Sequence, residues 1–284
     1  MREQLANGEE RGTLGAVARR GLTAASLVVL VPAWFSLQCR PVQDDPRGAI
    51  MPTGGDTGPV EAKAKPIFEE TFERDLSNWT PEGPHQVRIR NGRLHYKTHW
   101  AEDPAERSGQ FLWLNRDLPA AFRVAYDLTP LSESGFFLIF FCARGVGGED
   151  ILGEKLFQEY KELRDFEKYT IGPINCYHIS YRRNEVADCN LRKNTGKHLV
   201  KTSKLTALLP KGEAARVVLT KVGGHITLRV NGETFMDWTD DGKINGGVYG
   251  AGKIGLRQVY DSEGEYDNFR VYDLTAGTAP AADR

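Results

Sequence analysis

The chain has no excess of charge of either sign: 37 Lys and Arg stand against 38 Asp and Glu in 284 residues. That balance excludes a broad basic field drawing the protein onto nucleic acid, so any anionic partner must be met by a local cluster. Cysteine is sparse, with four in the whole chain, and none of them has zinc-type spacing. A glycine-rich phosphate loop and a nucleophile elbow are missing as well. Long apolar runs are scarce: GLTAASLVVLVPAWFSL, after Arg19 and Arg20, is short for a membrane span and is interrupted by Pro32.

That run reads as an export signal. Residues 1–39 are expected to be a signal or N-terminal anchor, and the arginine pair followed by Gly21 and Leu22 resembles a twin-arginine signal. The expected location is periplasmic or secreted, with a retained membrane anchor the weaker reading; Gln38 before Cys39 opposes lipidation, because a lipobox wants a small residue there. Residues 40–65 turn to Pro, Gly, Asp and Ala without apolar period and read as a flexible linker, and residues 276–284 as a similar tail. The folded unit is therefore residues 66–275.

Within that unit, Gly and aromatic residues are plentiful. Ten short β-type runs, from RIRNGRLHYKTHW to YDNFRVYDL, follow one another between turn signals such as Asn91-Gly92, Gly223-Gly224 and Asn231-Gly232. The class is all-β, a sandwich or barrel. One segment, 150–168, breaks the pattern: Leu152, Leu156, Tyr160, Leu163 and Phe166 fall on one helical face, giving a short helical insert that either packs on a sandwich edge or walls a cleft. Of the cysteines past the signal, Cys142 reads as core. A Cys176–Cys189 bridge is opposed by the register of a hairpin turning at residues 184–187.

The stretch CYHISYRRNEVADCNLRKNTGKHLV asks why a hairpin carries so many hydrogen-bonding groups. Alternation puts Tyr177, Ile179 and Tyr181 on one face and His178, Ser180 and Arg182 on the other. On the returning strand Asn190, Arg192 and Asn194 oppose Cys189, Leu191 and Lys193. If the polar rows are neighbours, His178 and Arg192 meet. A solvated face would favour Thr, Lys and Glu; His, Ser, Asn and Arg with almost no carboxylate suit ligand hydroxyls and carboxylates. The rows His95, Lys97, His99 and Arg257 are expected to join them on one curved sheet. The histidines do not form the helical motif of a metalloprotease, no cofactor is expected, and a structural calcium near Asp267 stays open. Glu149 and Asp150 are adjacent rather than alternating, unlike the paired acids of sandwich glycosidases.

Taken in order, LIFFCARGVGGEDIL, CYHISYRRN, CNLRKNTGKHLV, WTDDG and GKIGLRQV resemble a YesU-like bacterial family of unknown function, over roughly Phe72 to Tyr272. The resemblance implies a concanavalin A-like jelly-roll β-sandwich of two curved antiparallel sheets whose concave face binds saccharides. Its shared words fall at Glu149, Asp150, His178, Ser180, Tyr181, Asn190, Arg192, Lys193, His198, Arg257 and Gln258. The expected partner is an oligosaccharide or polysaccharide containing uronate, held by Arg192, Arg257 and Asn190. If there is catalysis, it is lyase-like: His178 removes or delivers a proton in a β-elimination, with Tyr181 as acid despite its opposite face. Two alternatives stay open: a non-catalytic binding module stacking sugar on Trp100 or Trp113, and a glycoside hydrolase using Glu149 or Asp150.

Overall fold

The computed structural model describes residues 65–83, 86–98, 111–133, 135–154, 156, 165–183, 188–204 and 209–275. The expectations for the signal, for the linker up to residue 64, for His99, Trp100 and the turn 184–187, for Tyr160 and Leu163, and for the tail 276–284 lie outside these residues. Fifteen strands are described: β1 Phe68–Glu70, β2 Trp79–Glu82, β3 Gln86–Arg90, β4 Arg93–Lys97, β5 Phe111–Leu118, β6 Phe122–Pro130, β7 Gly135–Gly145, β8 Ile174–Arg183, β9 Asp188–Asn194, β10 His198–Lys204, β11 Ala215–Val222, β12 His225–Val230, β13 Glu233–Thr239, β14 Gly252–Val259 and β15 Glu263–Asp273. A helix is described at Asp165–Lys168, and Glu154 and Leu156 are helical as well. None is long and apolar enough to cross a membrane among the described residues.

The strands form two antiparallel sheets, the jelly-roll sandwich that the resemblance implies. One runs β13-β12-β11-β6-β15-β4-β3, with β1 added to β15; the other runs β10-β9-β8-β7-β14-β5-β2. Edge strands carry features that discourage further pairing. Lys201 and Lys204 project from β10, and Pro81 removes a donor from β2.

Between the sheets lies a core of alternate residues, among them Leu112, Tyr126, Phe137, Ile139, Tyr177, Leu191, Leu228 and Val271. Polar atoms in it find partners across the gap: the Tyr126 and Tyr181 hydroxyls meet at 3.0 Å, and Gln258 Nε2 donates to Tyr266 Oη at 3.1 Å. A β-bulge after Phe141 resets the pleat of β7. Cys142 sits there at φ 55°, so that Phe141 and Cys142 both face the inter-sheet core while Phe140 and Ala143 face outward. Cys142, Cys176 and Cys189 are free and buried. Cys176 pairs in register with Asn194 and Cys189 with Tyr181, five positions apart along β8, which rules out a bridge between them.

Candidate functional site

The outer face of the seven-stranded sheet is read directly from its register, since directly opposed residues share a face. On β8 and β9, His178 opposes Arg192, Ser180 opposes Asn190 and Cys176 opposes Asn194. Continuing across the sheet, Ser180 lies beside Leu138, then Arg257, Phe111 and Glu82. His178 lies beside Phe140, then Gly255, Trp113 and Thr80. Two parallel rows thus cross one face, polar at the β8–β10 end and aromatic at the β5–β2 end.

In the polar half, His178 is 1% exposed and stacks on Phe140, ring centroids 4.6 Å apart. Asn194 Nδ2 donates to His178 Nδ1 at 2.9 Å and to Cys176 Sγ at 3.3 Å, while the Cys176 thiol donates to the Tyr169 carbonyl. With Nδ1 accepting, the neutral imidazole carries its hydrogen on Nε2. Burial, and then Arg192, Arg257 and Lys197, hold the His178 pKa well below 6.5. Lys197 is lowered in turn by burial and by the same two arginines. Cations gathered in one field repel one another and favour an anion among them. Arg257 is pulled down to about 10 by burial, and its guanidinium lies over the Phe111 ring at 5.2 Å. Asn190 accepts from Thr202 Oγ1 at 2.7 Å and donates to Asp188 at 2.9 Å. The buried Ser180 Oγ and Asn194 Oδ1 have no hydrogen-bond partner.

The aromatic half is tightly packed. Phe111 and Trp113 stack at 5.2 Å, Phe140 meets Phe111 edge-on, and Tyr169 closes over both at 4.6 and 4.9 Å. Gly255 makes this floor possible: a Cβ there would sit 2.5 Å from the Trp113 ring. Glu82, on the edge strand, accepts from Trp113 Nε1 at 3.2 Å, Tyr169 Oη at 2.6 Å and Lys168 Nζ at 3.0 Å. Three donors on one buried carboxylate fasten the segment after the short helix to the sheet. Sequence reasoning missed Glu82, because the only signal, WTPEG, names a proline-bearing edge and not the cluster beneath it.

Residues 67–271 match the family described as a domain of unknown function, DUF1961. The chain belongs to the DUF1961 family. An uncharacterized protein of Bacillus subtilis strain 168, YesU, is 32% identical over 208 residues, covering 70% of this chain and 90% of that one. A crystal structure of a Bacillus subtilis protein of unknown function with a galectin-like fold superposes with TM-score 0.65 at 27% identity, covering 74% of this chain and 97% of the other. The endo-β-galactosidase of Clostridium perfringens that releases GlcNAcα1-4Gal shares the fold, with TM-score 0.51 at 11% identity over 80% of this chain and 67% of its own.

In this DUF1961 member the remaining expected site residues scatter. Tyr181 lies between the sheets with its hydroxyl on Tyr126, so it cannot serve as an acid beside His178. Gln258 likewise points inward, to Tyr266. Lys193 is completely buried on the inner side, where Asp240 Oδ2 at 2.7 Å and the Gly246 and Gly247 carbonyls at 2.8 and 3.0 Å take its ammonium. Its role is to anchor the loop before β14. His198 is exposed at the register position of Lys193, and a Cβ on Gly196 would meet its ring, so it stands off the Arg192 row. Glu149 and Asp150 build the turn after β7: Glu149 accepts from the Gly147 amide, and Asp150 accepts from the Leu152 amide and pairs with Lys253 at 3.2 Å. His95 and Lys97 belong to the other sheet, both against Glu263 at 2.8 and 3.1 Å, so the expectation that they join the His178 row is wrong. Asp267 pairs with Arg93 at 3.8 Å, and no group of three or more metal-ligating side chains is gathered among the described residues.

Proposed function

We propose that this protein is exported and binds an acidic, uronate-containing saccharide on the outer face of its seven-stranded sheet. The observation that carries this reading is the Ser180 hydroxyl, buried without a partner in a row shared by His178, Arg192, Asn190 and Arg257. Burying a hydroxyl unpaired is costly, and a ligand oxygen at that position would relieve the cost. Lys197 adds a further positive charge to the field, which suits a carboxylate rather than a neutral sugar alone. Fold-level likeness to an endo-β-galactosidase and to a non-specific endo-β-1,3(4)-glucanase of family GH16 supports a saccharide by analogy.

Binding is better supported than cleavage. A base must offer a lone pair, yet His178 spends that of Nδ1 on Asn194 and carries hydrogen on Nε2. His178 is therefore a hydrogen-bond donor to the ligand. Tyr181 is on the wrong side of the sheet for β-elimination, and Glu149 and Asp150 are committed to a turn rather than paired for hydrolysis.

Calorimetric titration with uronate oligomers and their neutral counterparts, alongside mass spectrometry of the mixtures, tests this. We expect the acidic sugars to bind more tightly, salt to weaken them, and Arg257→Met to cost roughly tenfold or more through loss of a charge-assisted hydrogen bond. Tighter binding of the neutral sugars would overturn the reading, unsaturated products would restore the lyase, and products with added water the hydrolase.

A further inference from the structure

One end of the same face carries an aromatic pair that neither alternation nor family likeness singles out. Tyr260 follows Val259 at the end of β14 and is 49% exposed, the ring stacked on Phe136 at 5.9 Å and 26°. Val259 opposes Phe136 in register, and Arg257 opposes Leu138, so the pair lies one step along the strands from the row of Arg257 and Ser180. That step is two residues, about 7 Å.

The backbone beneath Tyr260 is held in place with unusual thoroughness. Its φ is 59°, a left-handed conformation that a bulky aromatic residue rarely adopts. Two buried hydroxyls fix it there. Thr98 Oγ1 donates to the Tyr260 carbonyl at 2.6 Å and accepts from the Ser262 amide at 3.3 Å. Ser262 Oγ donates to the Val259 carbonyl at 2.5 Å and accepts from the Phe136 amide at 3.0 Å. The same clamp therefore ties together the tyrosine and the phenylalanine it stacks on. Strain retained under an exposed aromatic, with internal groups committed to keeping it, is a mark of a surface built to be met by something.

We infer that Tyr260, backed by Phe136, is a stacking platform for a pyranose ring of the ligand, adjoining the position where Arg257 takes a carboxylate. The inference rests on the proposed saccharide-binding role of this face and extends it by a subsite. An aromatic face covers the C–H side of a pyranose, while the ring's hydroxyls remain free for the polar row. Tyr260 stands three residues beyond Arg257 along the chain, so platform and cation adjoin. Because the clamp orders the ring beforehand, stacking costs little conformational entropy.

The test is calorimetric titration of galacturonate, mannuronate and guluronate oligomers into the wild type, Tyr260→Ala, Tyr260→Phe and Arg257→Met. We expect Tyr260→Ala to weaken the oligomer that binds by about tenfold and Tyr260→Phe to stay within about twofold of the wild type. We also expect the salt dependence of affinity to persist in Tyr260→Ala and to flatten in Arg257→Met. If the wild type binds and Arg257→Met fails while Tyr260→Ala binds equally well, the platform is wrong and the face reading stands. If Tyr260→Phe loses as much as Tyr260→Ala, the hydroxyl and not the ring is the contact, which also overturns the platform. If the wild type binds none of the oligomers, both readings fall together.

Discussion

The two sides of the β8–β9 hairpin are equally buried and differently finished. On the inner side, Tyr181 meets Tyr126, Tyr177 donates to Asp240, and the Lys193 ammonium is surrounded by a carboxylate and two carbonyls. On the outer side, at the same 0–1% exposure, Ser180 Oγ and Asn194 Oδ1 lack partners, and His178 is neutral beside like charges. Burial alone does not separate structural from ligand-facing residues here. On this hairpin completeness of hydrogen bonding does, although the inward Gln258 Oε1 on β14, and His95 Nδ1 and Trp79 Nε1 elsewhere, are unpaired too.

Lys193→Met would strand Asp240 in the core, and we expect about 3–5 kcal/mol of lost stability in denaturant unfolding, with ligand affinity of the folded fraction unchanged. The pH dependence of stability probes the outer side. His178 is depressed in the fold, so its contribution is present above pH 6.5 and is lost as pH falls below that value, where the unfolded chain takes up the proton first. The slope there would reach up to about 1.4 kcal/mol per pH unit, and His178→Gln should flatten it in unfolding curves measured across that window. Tyr181→Phe should cost about 1 kcal/mol by orphaning Tyr126 and should leave binding untouched; a loss of binding would return Tyr181 to the site. The last effect has the opposite sign: Ser180→Ala should stabilise the fold, by about 1 kcal/mol, because it removes a buried hydroxyl that has no partner, with a drop in affinity seen by titration.

Much of this contrast is legible in the sequence. Period-two alternation placed His178 and Ser180 together, put Arg192 and Asn190 opposite them, and sent Tyr181 and Lys193 to the other face. Lys193 and Gln258 entered the expected site through the family words alone, and there the alternation was the better guide. The polar rows of β4 and β8 looked alike in sequence yet lie on different sheets, since local pattern carries no information about which strands become neighbours. Glu82 and Lys168 are 86 positions apart, and their meeting is a product of topology. The bulge at Cys142 was equally hidden, because an apolar run such as FFLIFFCA does not show where the pleat changes phase. The short strands β1 and β2 and the polar β10 escaped notice for lack of an apolar stripe.

The three thiols of the folded domain offer a consequence of a different kind. Burial pushes Cys142 and Cys176 up to about 12 and Cys189 higher still, so none is a thiolate at neutral pH and none is reachable by a reagent in the intact sandwich. Each sits in a different layer or strand pair: Cys142 at the bulge of β7, Cys176 under the outer face, Cys189 at the inner side of β9. Alkylation of these positions is therefore a stopwatch for opening events, and its order would tell which part of the sandwich lets go first.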